Sequence, residues 1–184
     1  MPDIFSKIIK KPFLLIIVVF TLSSCATFQR FNMYGENIFS GKDAFQQKEY
    51  EKARAFFEQA TGLSRDSVAL ALLAATYYKL NNIEKAEQLI LEAERIEKSR
   101  YNSLRVAGYK ALIMLKKNPD EGLVFLNSYV NLYNNCCDPL TTIRDVRRAC
   151  EKKEVDIKKL EALIDEQILW YESDIEQFHS TGTG

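Results

Sequence analysis

The stretch Tyr50-Glu51-Lys52-Ala53 returns 33 residues later as Ile83-Glu84-Lys85-Ala86, and this repetition decides the fold. The same shift aligns small and apolar residues beyond the two stretches: Phe57 with Ile90, Ala60 with Ala93, Leu63 with Ile96, and Gly41 with Ala74. These positions have the spacing of one face of an α-helix, which any bundle of amphipathic helices would share. The repeated Glu-Lys-Ala at a fixed period is harder to obtain by chance, and it predicts tandem helical repeats.

The second repeat resembles the tetratricopeptide repeat, a helix pair of about 34 residues with the pattern W-x2-L-G-x2-Y … A-x3-F … P. Its matching positions are Leu70, Leu73, Ala74, Tyr77, Ala86 and Ile90. The resemblance implies that Ala74 and Ala86 are the small residues at which the paired helices touch. The first repeat keeps Gly41, Ala53, Phe57 and Ala60, but it departs from the pattern at Asn37, Ser40 and Ala44, and neither repeat has the closing Pro. The resemblance covers residues 34–99.

A third, degenerate helix pair is predicted next. Its first helix is outlined by Leu104, Ala107, Gly108, Ala111 and Leu115. The stretch Asn118-Pro119-Asp120-Glu121 is typical of a helix start, with Asn at the N-cap, Pro at the first position and acids in the first turn. Matching Gly122 to Ala86 gives a spacing of 36 residues. A stable stack needs roughly three repeats, which favours counting this pair.

Residues 136–178 break the repeat pattern and predict a C-terminal helical cap. Apolar residues outline a short helix and a longer one, at Ile143, Val146 and Cys150, and at Ile157, Leu160, Ile164, Ile168 or Trp170, Tyr171, Ile175 and Phe178. A solenoid needs such an element to cover its last repeat, and a dimerising helix is the alternative. Residues 179–184 predict a disordered tail. The expected fold is all-α: a short α-solenoid of about three tetratricopeptide-like helix pairs over residues 34–135, closed by a capping helix.

Residues 1–24 have the features of a secretory signal peptide. Three lysines precede a nearly apolar run of ten residues, Phe13 to Leu22, whereas a membrane span needs about 20. Leu22-Ser23-Ser24-Cys25 resembles the lipobox of bacterial lipoproteins, which implies cleavage before Cys25 and its acylation, for example with palmitate. An uncleaved signal anchor with an incidental Cys is the alternative. Residues 25–33 are then the lipidated N-terminus and tether, and two or three acyl chains suffice for stable anchoring.

The resemblance to lipoproteins also implies a location. In that family an Asp just after the acylated Cys favours the inner membrane, and Ala26 stands there in this chain. We therefore expect the periplasmic face of the outer membrane, with the inner membrane as the alternative. Without residues 1–24 the chain has 22 basic and 24 acidic residues, a net charge of −2. No basic surplus is left to bind phosphates, which argues against nucleic acid as a partner.

The sequence predicts no catalytic site, no cofactor and no metal site. The single histidine, His179, lies in the tail, and the seven glycines form no G-x-G-x-x-G loop. Acid pairs such as Asp165 and Glu166 have the pattern of ordinary solvated helix faces. Besides Cys25, the chain has Cys136, Cys137 and Cys150. A bridge from Cys136 or Cys137 to Cys150 depends on whether the next helix starts at Pro139 or at Thr142, and it stays open.

The family resemblance implies a function in binding. First helices of tetratricopeptide repeats line a concave groove that holds a peptide or helix of another protein. The matching positions in this chain are Lys42, Phe45, Ala71, Ala75, Tyr78, Lys79, Arg105 and Tyr109; for Tyr78 and Tyr109, packing between repeats is the alternative. The implied function is a protein–protein interaction adaptor in envelope assembly, secretion or pilus biogenesis, with another envelope protein as partner. The alternatives are a structural subunit that forms a homo-oligomer through the C-terminal helix, and a periplasmic thiol redox protein.

Overall fold

The computed structural model describes residues 29–97, 102–137, 141–153 and 155–181, and this part of the chain folds into helices without strands. The first helix, α1, covers residues 29–46. The following helices are α2 (Tyr50–Leu63), α3 (Ser67–Lys79), α4 (Ile83–Ile96), α5 (Ser103–Lys117), α6 (Pro119–Cys136), α7 (Thr141–Lys152) and α8 (Ile157–Thr181). The predicted all-α fold is therefore confirmed.

The sequence repeat is visible in the backbone as two copies of one tight turn. Lys48 follows α1 and Asn81 follows α3, and both are in the left-handed region, with φ of 63° and 61°. At each turn the next amide donates to the carbonyl five residues back, Glu49 to Ala44 and Asn82 to Tyr77, both at 2.9 Å. This closure is the six-to-one hydrogen bond of a Schellman motif. Within each of the first two helix pairs, the same type of turn therefore joins the first helix to the second, and the two turns lie 33 residues apart.

Small residues lie where the paired helices approach most closely. Ala53, Ala74 and Ala86 are fully buried. In the third pair Gly122 stands at the position of Ala86, and a β-carbon added there would lie 2.5 Å from the backbone N and Cα of Leu115. No side chain larger than hydrogen fits between α5 and α6 at this point. The third pair exists as expected, and α6 begins at Pro119 with Asn118 as its N-cap.

The two C-terminal helices do not stack as one cap. The first, α7, packs against α6 and buries Ile143 and Val146. The second, α8, packs against α7 and α5, and its side chains also reach α1 and α3. We expected the segment to cover the last repeat. The finding is that α7 covers α6, while α8 lies across the first helices of all three pairs, α1, α3 and α5.

The cysteines form neither of the bridges to Cys150 that the sequence left open. Adjacent Cys136 and Cys137 form a disulfide, and Cys150 on α7 is a free thiol. The helix α7 begins at Thr141, which lies between the two starting residues, Pro139 and Thr142, that the sequence left open. Burial raises the pKa of the Cys150 thiol, so its reactive thiolate form is disfavoured.

The signal peptide, the lipobox and part of the expected tether and tail lie outside the described residues. Residues 29–33, which we expected to be tether, are helical. None of the described helices is both long enough and apolar enough to cross a membrane.

The α5–α6 contact makes a prediction about stability. Gly122→Ala should lower the free energy of unfolding by about 1–3 kcal/mol, because the methyl group would meet the Leu115 backbone, which cannot move aside as a side chain would. Denaturant unfolding followed by circular dichroism measures this change.

Gly62→Ala is the matched control, since a β-carbon on this exposed α2 glycine has nothing within 4 Å. It should raise the free energy of unfolding by about 0.5 kcal/mol through reduced backbone entropy of the unfolded chain. An equal effect of the two substitutions would mean that α5 and α6 are not this close.

Candidate functional site

The candidate site is the surface of α1, α3 and α5 that faces α8, and we call it the groove. It bears Lys42 on α1, Lys79 on α3, and Arg105 and Tyr109 on α5, all of which bond to α8. The resemblance to tetratricopeptide repeats selected this same surface from the sequence. The structure differs from the expectation in one respect, because a helix of the chain itself lies in the groove.

Four of the expected partner-contacting residues are inaccessible in this arrangement. Ala71, Ala75, Tyr78 and Tyr109 are at most 1% exposed. The Tyr78 and Tyr109 rings pack edge to face, with centroids 5.6 Å apart, and so join α3 to α5. Packing between repeats, the alternative that we had left open for both tyrosines, is what the structure contains. The expectation treated the groove as empty because the sequence does not say where α8 lies.

Glu172 of α8 is bound at both carboxylate oxygens. Arg105 donates to Oε1 from Nε at 2.9 Å and from Nη2 at 2.7 Å, and Lys42 Nζ lies 3.0 Å from Oε2. The Arg105 and Glu172 side chains are only 9% and 6% exposed. Burial acts to raise the pKa of Glu172, but the charges of Arg105 and Lys42 outweigh it, and the pKa is lowered. One buried carboxylate therefore joins α8 to both α1 and α5.

Lys79 forms a second charged contact, about two helical turns nearer the start of α8. Its Nζ lies 2.5 Å from Glu161 Oε1 and 2.5 Å from Asp165 Oδ2, and Tyr109 Oη donates to Asp165 Oδ1 at 2.5 Å. Burial alone would lower the pKa of Lys79, but the two carboxylates raise it. Three cations of the groove thus form ion pairs with three carboxylates of α8.

Apolar contacts complete the docking of α8. Leu160, Ile164 and Ile168 are at most 2% exposed. Gly108 on α5 makes room for them, because a β-carbon there would lie 2.7 Å from Ile164 Cγ2. The absence of a side chain at this position lets α8 approach the α5 backbone closely.

One buried polar atom of α8 remains unsatisfied at this interface. Tyr129 Oη donates to Gln167 Oε1 at 2.7 Å, but within the described residues Gln167 Nε2 has no hydrogen-bond partner. A buried polar atom without a partner costs about 1–3 kcal/mol. The docked α8 therefore fits the groove incompletely.

A cleft of about 530 Å³ between α1 and α8 keeps part of the groove open. Lys42, Phe45 and Arg105 line it together with Phe39 and Leu169. Phe39 is 77% exposed and Leu169 is 47% exposed, so the rim is apolar and accessible. Among the residues that were expected to contact a partner, Lys42, Phe45 and Arg105 line this open cleft.

The residues of α8 that belong to the site were not among those predicted from the sequence. We had assigned Asp165 to a solvated helix face, and the structure instead binds it to Lys79 and Tyr109. A signal was present in the sequence, since Glu161, Asp165 and Glu172 have helical spacing and flank an apolar stripe. The spacing places the three carboxylates on one face, but it does not identify the surface that receives them.

Comparison with known proteins supports the repeats. The family model described as tetratricopeptide repeat matches residues 44–107, which run from the end of α1 to the first part of α5. No curated protein and no solved structure matches the chain.

The site makes a prediction about Glu172→Gln. The substitution keeps the shape of the side chain but leaves Arg105 buried without an anion, so the free energy of unfolding should fall by about 3–5 kcal/mol at pH 7. The lowered pKa of Glu172 means that its contribution is fully present above its ordinary pKa of 4.5 and is lost as the pH falls through the native value. The difference between wild type and variant should therefore be constant from neutral pH down to about 4.5 and shrink as the pH falls from there toward the lower native pKa.

Glu51→Gln is the control, because Glu51 pairs with Arg54 on the surface and is 70% exposed. Its effect should stay within about 0.5 kcal/mol. Chemical denaturation over a pH series measures both variants. A difference for Glu172→Gln that does not change with pH would contradict the assigned ion pairs.

Proposed function

We propose that this chain is a lipid-anchored adaptor that binds another envelope protein, since residues 44–107 match the tetratricopeptide repeat family. Domains of this family generally bind protein partners. The proposed location is the periplasmic face of the bacterial outer membrane, and the proposed processes are envelope assembly, secretion or pilus biogenesis. The observation that carries the proposal is the groove, which is built on the first helices of the repeats and already holds a helix.

The geometry of the groove supports a helical or peptide partner. Its cations Lys42, Lys79 and Arg105 come from three successive first helices and form two groups along α8, with Lys79 at Glu161 and Asp165, and Lys42 and Arg105 together at Glu172. A helix lying across the stack can meet all three, as α8 does. A partner presented in this way is recognised by charge and by the apolar residues between the charges.

The sequence of the N-terminus supports the lipid anchor. Residues 1–24 have the layout of a signal peptide, and Cys25 follows an aliphatic residue and two small ones. Two or three acyl chains on Cys25 would provide stable membrane attachment, whereas a single acyl chain binds a membrane only marginally.

Cys25→Ser tests the anchor. In a bacterial host the variant should stay at precursor size and incorporate no labelled palmitate, because the acylated thiol is missing. Cys150→Ser is the control and should label and mature as the wild type does, since Cys150 lies far along the chain on α7. A Cys25→Ser protein that still takes up palmitate and runs at mature size would exclude the lipoprotein assignment.

Capture from membranes tests the adaptor. The tagged full chain, cross-linked in cells, should retain an envelope protein that an unrelated lipoprotein with the same tag does not. If the tagged chain and the unrelated lipoprotein retained the same proteins in equal amounts, the result would count against binding as the function.

Exposed residues on α8 favour one second candidate, a subunit that associates with itself. Leu169, at the rim of the α1–α8 cleft, and its neighbour Trp170 are 47% and 55% exposed, so both present apolar surface that the monomer leaves uncovered. If this face joins two copies, the mass of the chain in sedimentation should rise with concentration, and Leu169→Glu should abolish the rise. Leu91→Glu, at a leucine of α4 that is 44% exposed, is the matched control and should leave the mass unchanged. A concentration-independent monomer would exclude self-association.

A further inference from the structure

We infer that α8 is an exchangeable ligand of the groove, and that the partner carries an acidic amphipathic helix of the same pattern, which binds when α8 leaves. This inference rests on the proposed function, since it assumes that the groove binds a protein. It adds the chemical class of the partner and the segment that competes with it.

The partner's pattern follows from how α8 meets the groove. Glu161 and Asp165 are one helical turn apart and bind Lys79, and Glu172 is two turns further and binds Arg105 and Lys42. Leu160, Ile164 and Ile168 form the apolar stripe beside these carboxylates. A competing helix therefore needs carboxylates at relative positions 0, 4 and 11 and apolar residues along the adjoining stripe.

The composition of the interface makes it separable. The helix pairs themselves are held by fully buried alanine and leucine residues such as Ala71, Leu70 and Ala86. Beside its apolar stripe, the α8 interface contains three carboxylates and three cations, which water solvates well once they separate. Polar interfaces of this kind are typical of segments that associate and dissociate rather than of a domain core.

The docked state also leaves room for a better ligand. The buried Nε2 of Gln167, on α8 itself, has no hydrogen-bond partner within the described residues. A helix whose side chain at this position offers Tyr129 Oη an acceptor, and carries no donor of its own, would avoid this penalty. Sequences other than α8 can therefore complement the groove more completely.

The connection of α8 to the chain allows it to leave without unfolding the repeats. The second helix of the last pair, α6, packs against α7, whereas α8 packs against the first helix, α5. Lys153, at the end of α7, adopts a left-handed φ of 53° and turns the chain toward α8. When α8 is docked, an outside helix meets only the fraction of molecules that is open, and its apparent affinity falls by that fraction.

A peptide with the sequence of residues 157–181, carrying a fluorescent label, probes the exchange. Fluorescence anisotropy measures its binding to the full chain in detergent micelles. The opened chain carries Glu161→Gln, Asp165→Asn and Glu172→Gln, which weaken α8 but leave the groove unchanged. We expect the opened chain to bind the peptide about tenfold tighter than the wild type or better, because a larger fraction of molecules is open.

A control peptide with the same three substitutions distinguishes recognition of the carboxylates from non-specific binding of the apolar residues. It should bind the opened chain at least about tenfold more weakly than the acidic peptide, and the advantage of the acidic peptide should decline as salt screens the ion pairs. Equal binding of the two peptides would overturn the assigned chemistry. No binding of either peptide to an opened chain that keeps its helical circular dichroism would overturn the exchange itself.

Amide hydrogen exchange on the wild-type full chain tests the inference without any substitution. The amides of α8 should exchange about tenfold faster than those of α3 and α5 or more, because α8 opens locally while the repeats stay folded. Protection of α8 equal to that of α3 would mean that it separates only on global unfolding, and the inference would fail.

Two further outcomes distinguish this inference from related ideas. If the opened chain forms a dimer that blocks the peptide, the groove is occupied by α8 of a second copy, and the assignment to a different protein is overturned. If the peptide fails to bind while an envelope protein still co-purifies with the full chain, the adaptor function stands and its partner binds elsewhere. Failure of palmitate labelling has no bearing on the exchange.

Discussion

A buried guanidinium determines how the two ends of the described chain meet. Arg105 is 7% exposed, and because an arginine side chain does not lose its proton in a protein, its charge needs an anion in the folded state. Glu172, 67 residues later, supplies that anion, and Lys42 binds its second oxygen. The path of α8 across the first helices follows from this pairing, and so does the occupation of the groove.

The charges and the apolar residues of α8 contribute differently. Burying Leu160, Ile164 and Ile168 stabilises the docked helix by about 1.5–3 kcal/mol per side chain at most. Buried ion pairs contribute little beyond the cost of removing both charges from water, but leaving one of them unpaired is expensive. The apolar stripe therefore provides affinity, and the ion pairs determine the register in which α8 lies. A helix held in this way is specific for its site and still able to leave it.

The repeats could be predicted from the sequence because their information is local and duplicated. The shared Glu-Lys-Ala and the small residues at Ala53 and Ala86 decide the helix pairing, and Asn118-Pro119 fixes the start of α6. The occupant of the groove could not be predicted in the same way. Helical spacing shows that Glu161 and Asp165 share a face with apolar neighbours, but a solvent-facing row of acids has the same spacing. Which row docks depends on Lys79, 82 and 86 residues away in sequence, and no local pattern reports a partner at that distance.

The start of α1 connects the groove to the proposed membrane anchor. Arg30 donates to Leu63 O at 2.6 Å from Nη2, and Tyr34 Oη donates to Asp66 Oδ1 at 2.9 Å, so α1 is attached to the repeats near its beginning. From residue 29 to Lys42 the helix rises by about 20 Å, and the four residues back to Cys25 span at most about 14 Å. An acyl group on Cys25 would then keep the α1–α8 cleft within about 35 Å of the membrane surface. A partner in the same membrane would meet the cleft at a raised effective concentration. This increase would help that partner to compete with α8 for the groove, and a protein free in solution would not have the same advantage.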